Sequence, residues 1–118
     1  MIDRQTLLDS SILIVDDNPA NVSLLEAILE KEGYENFTST TDPRVVMDLY
    51  EEEDFDLILL DIRMPHINGV QLMGMLKDKV QNDYLPILVL TAQTDQQTRQ
   101  EALEAGAKDF LTKPFNHW

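Results

Sequence analysis

The sequence predicts an α/β fold built on a doubly wound, five-stranded parallel sheet, and three observations support this. Short β-branched apolar runs alternate with stretches of helical periodicity along the chain. The connections between them are short, as in βα units whose strands lie parallel and whose helices cover both faces of the sheet. The second and fifth strand-like segments are mixed in polarity, which suits the two edges of a sheet whose interior strands are buried on both faces.

The elements follow in order. Ser11 to Asp16 (SILIVD) is a compact apolar run that fits a strand buried on both faces. In the next segment Asn18 can cap a helix and Pro19 suits its first position, where a backbone N–H would have no partner. Val22, Leu25, Ile28 and Leu29 recur at helical spacing, and Gly33 supplies the stop. Tyr34 to Thr40 reads as the second strand. Asp42-Pro43 opens another helix in the same cap-plus-proline manner, with Val45, Val46, Leu49 and Tyr50 as its apolar stripe and Glu51 to Asp54 as a solvated end. Phe55 to Asp61 is the third strand. Asn68-Gly69 begins a helix carrying Val70, Leu72, Met73 and Leu76, and Met73 and Met75 read as packing residues rather than ligands. Pro86 to Thr91 (PILVLT) is the fourth strand. Residues 95 to 105 form a helix whose apolar face is only Ala102, Leu103 and Ala105, closed by Gly106, so it is the most loosely held. Ala107 to Thr112 is the fifth strand.

With polar strands two and five at the edges, the arrangement is flavodoxin-like, in strand order 2-1-3-4-5. Ligands of such sheets sit beyond the carboxyl ends of the strands, at the switch point beside strand one. The chain runs only through Phe115-Asn116-His117-Trp118 after the last strand, where this architecture wants a fifth helix. The expectation is a domain over residues 11–118 with that helix largely missing, an N-terminal extension over residues 1–10, and a chain that is a fragment of a longer protein.

At 118 residues the chain is the size of one domain, able to bury roughly two thirds of its unfolded surface. No apolar run approaches the roughly 20 residues that span a bilayer. The start, MIDRQTLLDS, is too acidic, and too short in its apolar part, for a signal peptide. Cysteine is absent, which excludes disulfides and thiolate metal sites. A cytoplasmic protein with no membrane association is the simplest expectation. The formal net charge of −13 argues against nucleic-acid binding, which needs lysine and arginine to neutralise phosphates. Any DNA output has to come from another polypeptide segment.

The stretch DFDLILLDIRMP, residues 54 to 65, raises the chemical question. The apolar run Leu57 to Leu60 leads straight into Asp61, a carboxylate that is costly to bury unless a cation or hydrogen-bond donors meet it. In a parallel sheet the C-terminal strand ends share one edge, and the residues there are Asp16 and Asp17, Asp61, Thr91 and Lys113. Carboxylates so placed repel unless a cation sits among them, and oxygen donors without His or Cys favour a hard ion such as Mg²⁺. A metal, an ammonium group and neutral donors around one carboxylate suit a phosphoryl group moving onto Asp61. Taken singly, each residue has an ordinary explanation: a helix start at Asp16-Asp17, a strand-end hydroxyl at Thr91, a surface turn at Lys113-Pro114. Together, at successive strand ends, they do not.

The blocks ILIVDDNPAN, LILLDIRMPHINGV, PILVLTAQ and AGAKDFLTKPF resemble, in order and separation, those of response-regulator receiver domains of two-component systems. The resemblance spans residues 11 to 115. It implies that Asp61 accepts a phosphoryl group from a histidine kinase or histidine phosphotransfer protein. Asp17, Asp61 and the backbone carbonyl of Arg63 would bind Mg²⁺, with Asp16 acting largely through water. Lys113 would pair with a phosphoryl oxygen, before a Pro114 peptide that is typically cis in the family. Thr91 would swing its hydroxyl to the phosphoryl group, Ala92 would leave access and contact it by backbone, and Phe110 would be the switch aromatic that moves inward. The signal would pass to an output domain or effector beyond residue 118 or on another chain. Arg63 and Gln93 occupy positions that tune phosphoryl lifetime in the family.

Three rival functions fit less well. A haloacid-dehalogenase-like phosphatase needs an acid two residues past its nucleophile, where this chain has Arg63. A binding-only receiver would have lost Asp61, Lys113 or one of the acidic pair. A flavin carrier would not place two acids after strand one, where they repel a phosphate. His66 and His117 lack the helical context of a phosphohistidine and read as surface residues. The sequence thus predicts a signalling switch that catalyses only its own phosphoryl transfer and dephosphorylation.

Overall fold

Strands and helices alternate from β1 (Ile12–Val15) through α1 (Pro19–Lys31), β2 (Phe37–Thr40), a 3₁₀ turn (Pro43–Val45) continuing into α2 (Val46–Glu52), and β3 (Leu57–Asp61). They are followed by α3 (Gly69–Val80), β4 (Ile87–Ala92), α4 (Gln96–Glu104) and β5 (Asp109–Lys113). The computed structural model describes residues 8–64, 66–80, 86–92 and 96–113, excepting the side chains of residues 79, 80, 92, 112 and 113. The strands form one parallel sheet in the order β2-β1-β3-β4-β5, with the two polar strands at the edges as expected.

Local chemistry sets the element ends. Asn18 accepts the Ala20 N–H at 2.9 Å, closing the start of α1 above Pro19. At the other end Gly33 takes φ +99°, a left-handed conformation that glycine adopts without a Cβ penalty. The Tyr34 N–H then donates back to the Leu29 carbonyl at 2.9 Å. Tyr34 therefore belongs to the helix stop, and β2 begins at Phe37 rather than at the expected Tyr34. Asp42 caps as expected, accepting the Arg44 N–H at 2.9 Å, but the turn it starts is 3₁₀ before it becomes α-helical.

Alternation along the strands divides the core in two. Leu13, Val15, Ile58, Leu60, Ile87 and Val89 point to the face covered by α2, α3 and α4, through Val46, Leu72, Met73, Leu76 and Ala102. Ile12, Ile14, Leu59 and Leu90 point to the other face, which α1 covers with Val22, Leu25 and Leu29. Among the described residues α1 is the only helix there, and a groove of about 640 Å³ remains beside it, lined in part by Leu8, Ile12, Leu57 and Leu88. The helix read as loosely held does bury little: Ala102 is the buried residue of α4.

Candidate functional site

Strand register brings the acidic residues together. Val15 pairs with Leu60, so the next residues, Asp16 and Asp61, stand side by side where β1 and β3 end. Asp61 pairs with Leu90, which puts Thr91 one step further along β4, and Ala92 pairs with Lys113 at the end of β5. Asp16 is fully buried, and Asp61 and Thr91 are each 4% exposed, which is deep for ionisable and polar groups at a sheet edge. Asp17 is exposed. Asp16, Asp17 and Asp61 each offer a carboxylate oxygen, and these oxygens lie within 4.8 Å of one another. Three like charges at that range favour a cation among them, and a set of hard oxygen donors fits Mg²⁺ with water completing its shell.

The backbone around the acids is fixed by close contacts. Asp16 Oδ1 accepts the Asn18 N–H at 3.0 Å, an Asx turn that joins the acidic pair to the start of α1. After β3 the chain folds back so that the Gly69 N–H donates to the Ile62 carbonyl at 2.7 Å. A Cβ on Gly69 would lie 2.7 Å from the Asp61 carbonyl oxygen and 2.8 Å from Ile62 Cα, so α3 starts hard against the backbone of Asp61. Asn68 and Gln71 bond reciprocally, each side chain accepting the other's N–H, at 2.8 and 3.0 Å, which closes the helix start as a capping box does. In the loop between, His66 is exposed, as the sequence suggested, and has φ 72°, uncommon outside glycine.

Arg63 is exposed, and its Nη2 donates to Thr98 Oγ1 of α4 at 3.5 Å. Phe110 pairs with Val89 and so shares a face with Thr91, two residues further along the ladder. It is half-buried against the larger core. Lys113 reaches the site edge by its backbone. Its side chain, and the expectations for Gln93, Pro114, Phe115, His117 and Trp118, lie outside the described residues.

Three features were missed in the sequence: the Asp16–Asn18 turn, the tight seat of Gly69, and the Arg99 guanidinium over the Phe110 ring at 4.8 Å. The Asx turn had a signal in Asp-Asp-Asn-Pro. The other two depend on which elements meet, and nothing local announces them. Among the described residues no helix is long and apolar enough to cross a membrane.

A 2-1-3-4-5 parallel sheet with three clustered carboxylates at its carboxyl edge defines a flavodoxin-like α/β domain whose acids are spaced to share a cation. More particularly, residues 12–117 match the response regulator receiver domain model, and the chain belongs to that family. It is 39% identical over 109 residues to the response regulator PleD of Caulobacter vibrioides, spanning 92% of this chain and 24% of that protein. In three dimensions it is similar to the chemotaxis protein CheY4 of Vibrio cholerae, with a TM-score of 0.82 and 30% identity over 92% of this chain and 89% of that one. It is also similar to the Ssk1 receiver domain of Saccharomyces cerevisiae, solved with the histidine phosphotransfer protein Ypd1, with a TM-score of 0.79 and 25% identity over 90% and 79% of the two chains. The chain thus spans about a quarter of PleD's length.

Proposed function

We propose that Asp61 is the phosphoacceptor of a two-component switch, taking a phosphoryl group from a phosphohistidine on a kinase or phosphotransfer protein. The observation that carries this is the buried Asp61 carboxylate, within 4.8 Å of two other acids at the end of a central strand. A lone buried carboxylate there would be a cost without return.

In the transfer, an Asp61 carboxylate oxygen attacks phosphorus in line, the phosphorus–nitrogen bond of the donor breaks, and the electron pair leaves on the imidazole. Mg²⁺ held by Asp17, Asp61 and the Arg63 carbonyl, with Asp16 acting through water, would neutralise the gathering negative charge. The Lys113 ammonium pairs with a phosphoryl oxygen, and the Ala92 N–H donates to another. The Thr91 hydroxyl donates to a phosphoryl oxygen once the group is in place, and Phe110 moves inward behind it. Attack of water on the same phosphorus later breaks its bond to the Asp61 oxygen, releases inorganic phosphate and returns Asp61 to its free carboxylate. This one phosphoryl cycle is the domain's only catalysis.

The solved Ypd1–Ssk1 pair supports a histidine phosphotransfer protein as donor, and PleD's greater length supports an output segment outside these 118 residues. We take residues 11–118 as the receiver and 1–10 as an extension, working in the cytoplasm. Intact mass after incubation with acetyl phosphate tests the reading. It predicts one phosphoryl adduct that requires Mg²⁺ and is lost in Asp61→Asn. An adduct that persists in the variant refutes it.

A further inference from the structure

α4 buries little apolar surface, yet its first half touches the proposed switch at two points. Thr98 Oγ1 accepts from Arg63, in the loop that leaves Asp61. One residue later the Arg99 guanidinium carbon stands 4.8 Å from the centroid of the Phe110 ring. Both partners are half-buried. A guanidinium over an aromatic face is attracted by the ring quadrupole, and more strongly as water is withdrawn. Phe110 lies at the rim of the larger core and pairs with Val89, two residues before Thr91 on the same face.

Resting on the reading of Phe110 as the switch aromatic, the geometry points to Arg99 as a positioning residue that holds the ring at the rim of the core. Movement of the ring toward Thr91 breaks this contact. An interaction made in only one of two states biases their ratio by its own free energy. For a partly exposed cation–π pair that bias is about two- to fivefold. Arg99 thereby opposes the phosphorylated arrangement, and the chain gives up part of its phosphoryl affinity to stay switched off when unmodified. Because Thr98 and Arg99 are neighbours on one turn, the Arg63 contact and the ring contact set the position of the same segment of α4.

The test uses the whole chain with Arg99→Gln, which removes the charge and keeps most of the length, and Arg99→Lys, which restores the cation. Fluorine NMR gives the affinity for beryllofluoride, a phosphoryl mimic, in Mg²⁺. Three-bond couplings from Phe110 Cγ give the ring's χ1 populations without any phosphoryl group. The expected result is affinity about two- to fivefold tighter in Arg99→Gln, largely reversed in Arg99→Lys, with the χ1 ratio moving away from the major wild-type rotamer. Equal affinities in folded variants, or a gain that Lys does not reverse, overturn the proposal. If the wild type takes up no beryllofluoride, the acceptor reading fails instead, and the couplings decide alone: χ1 populations unchanged in Arg99→Gln overturn the role of Arg99.

Discussion

Replacing Gly69 by alanine puts the link between packing and chemistry to the test. The added Cβ would sit 2.7 Å from the Asp61 carbonyl oxygen, 2.8 Å from Ile62 Cα and 3.0 Å from Ile62 Cδ1. Ordinary contact of a Cβ begins at 3.4 Å, so the start of α3 and the end of β3 must part by more than half an ångström. Two of the three obstructing atoms are backbone, and no side-chain rotation relieves them. The 2.7 Å bond from the Gly69 N–H to the Ile62 carbonyl stretches with them. Overpacking of this kind costs about 1–3 kcal/mol, and alanine's better helix propensity returns at most about 1 kcal/mol. Gly74 is the internal control: it is exposed in the same helix, with nothing within 4 Å of the place an added methyl would take, so Gly74→Ala gains up to about 1 kcal/mol. Urea unfolding of the two variants should therefore give shifts of opposite sign. Since the displaced backbone is that of Asp61, Gly69→Ala should also slow acetyl-phosphate labelling under conditions where the protein is fully folded. Equal stability and equal labelling rate in Gly69→Ala would refute the argument.

Other expectations concern the core, a cap and a titration. Leu60→Ala removes a fully buried side chain next to Asp61 and should cost about 2–5 kcal/mol by urea unfolding; a loss under about 1 kcal/mol would mean that the site collapses around the gap. Asn18→Ala removes the acceptor for the Ala20 N–H and should cost about 1 kcal/mol, whereas Asn18→Asp should cost little. The Arg44 side chain, with its backbone N–H second, holds the Asp42 carboxyl down at about 2 from its ordinary 3.8. A depressed carboxyl favours the folded state above the unfolded pKa, so this small, solvent-screened contribution is complete above about pH 4 and lost as pH falls through about 2. Carbon-detected NMR titration should find Asp42 low in the wild type and only partly restored toward 3.8 in Arg44→Ala, because the residue-44 N–H still donates.

The fold was legible because its signals are local. Cap-plus-proline pairs at Asn18-Pro19 and Asp42-Pro43, a glycine stop at Gly33 and β-branched runs each act within a few residues, and the polarity of two strands named the sheet edges. The acidic cluster was legible by one further step, since parallel register brings strand ends into one edge whatever the side chains are. What escaped was contact between elements distant in sequence. Nothing near Gly69 shows that the Asp61 carbonyl will press on it, and Arg99 reads as one more charge on a polar helix until β5 places Phe110 beneath it. Tyr34 was misplaced for a related reason: its aromatic side chain favours a strand, but the Gly33 turn spends its N–H on closing α1.

Among the three clustered acids, Asp61 is the one proposed to carry the phosphoryl group. Borohydride reduces an aspartyl phosphate to homoserine, and peptide mass spectrometry then locates it in the chain. After acetyl-phosphate treatment in Mg²⁺ homoserine is expected at position 61 alone. Homoserine at position 16 or 17, or a stable adduct that borohydride leaves untouched, would contradict this assignment.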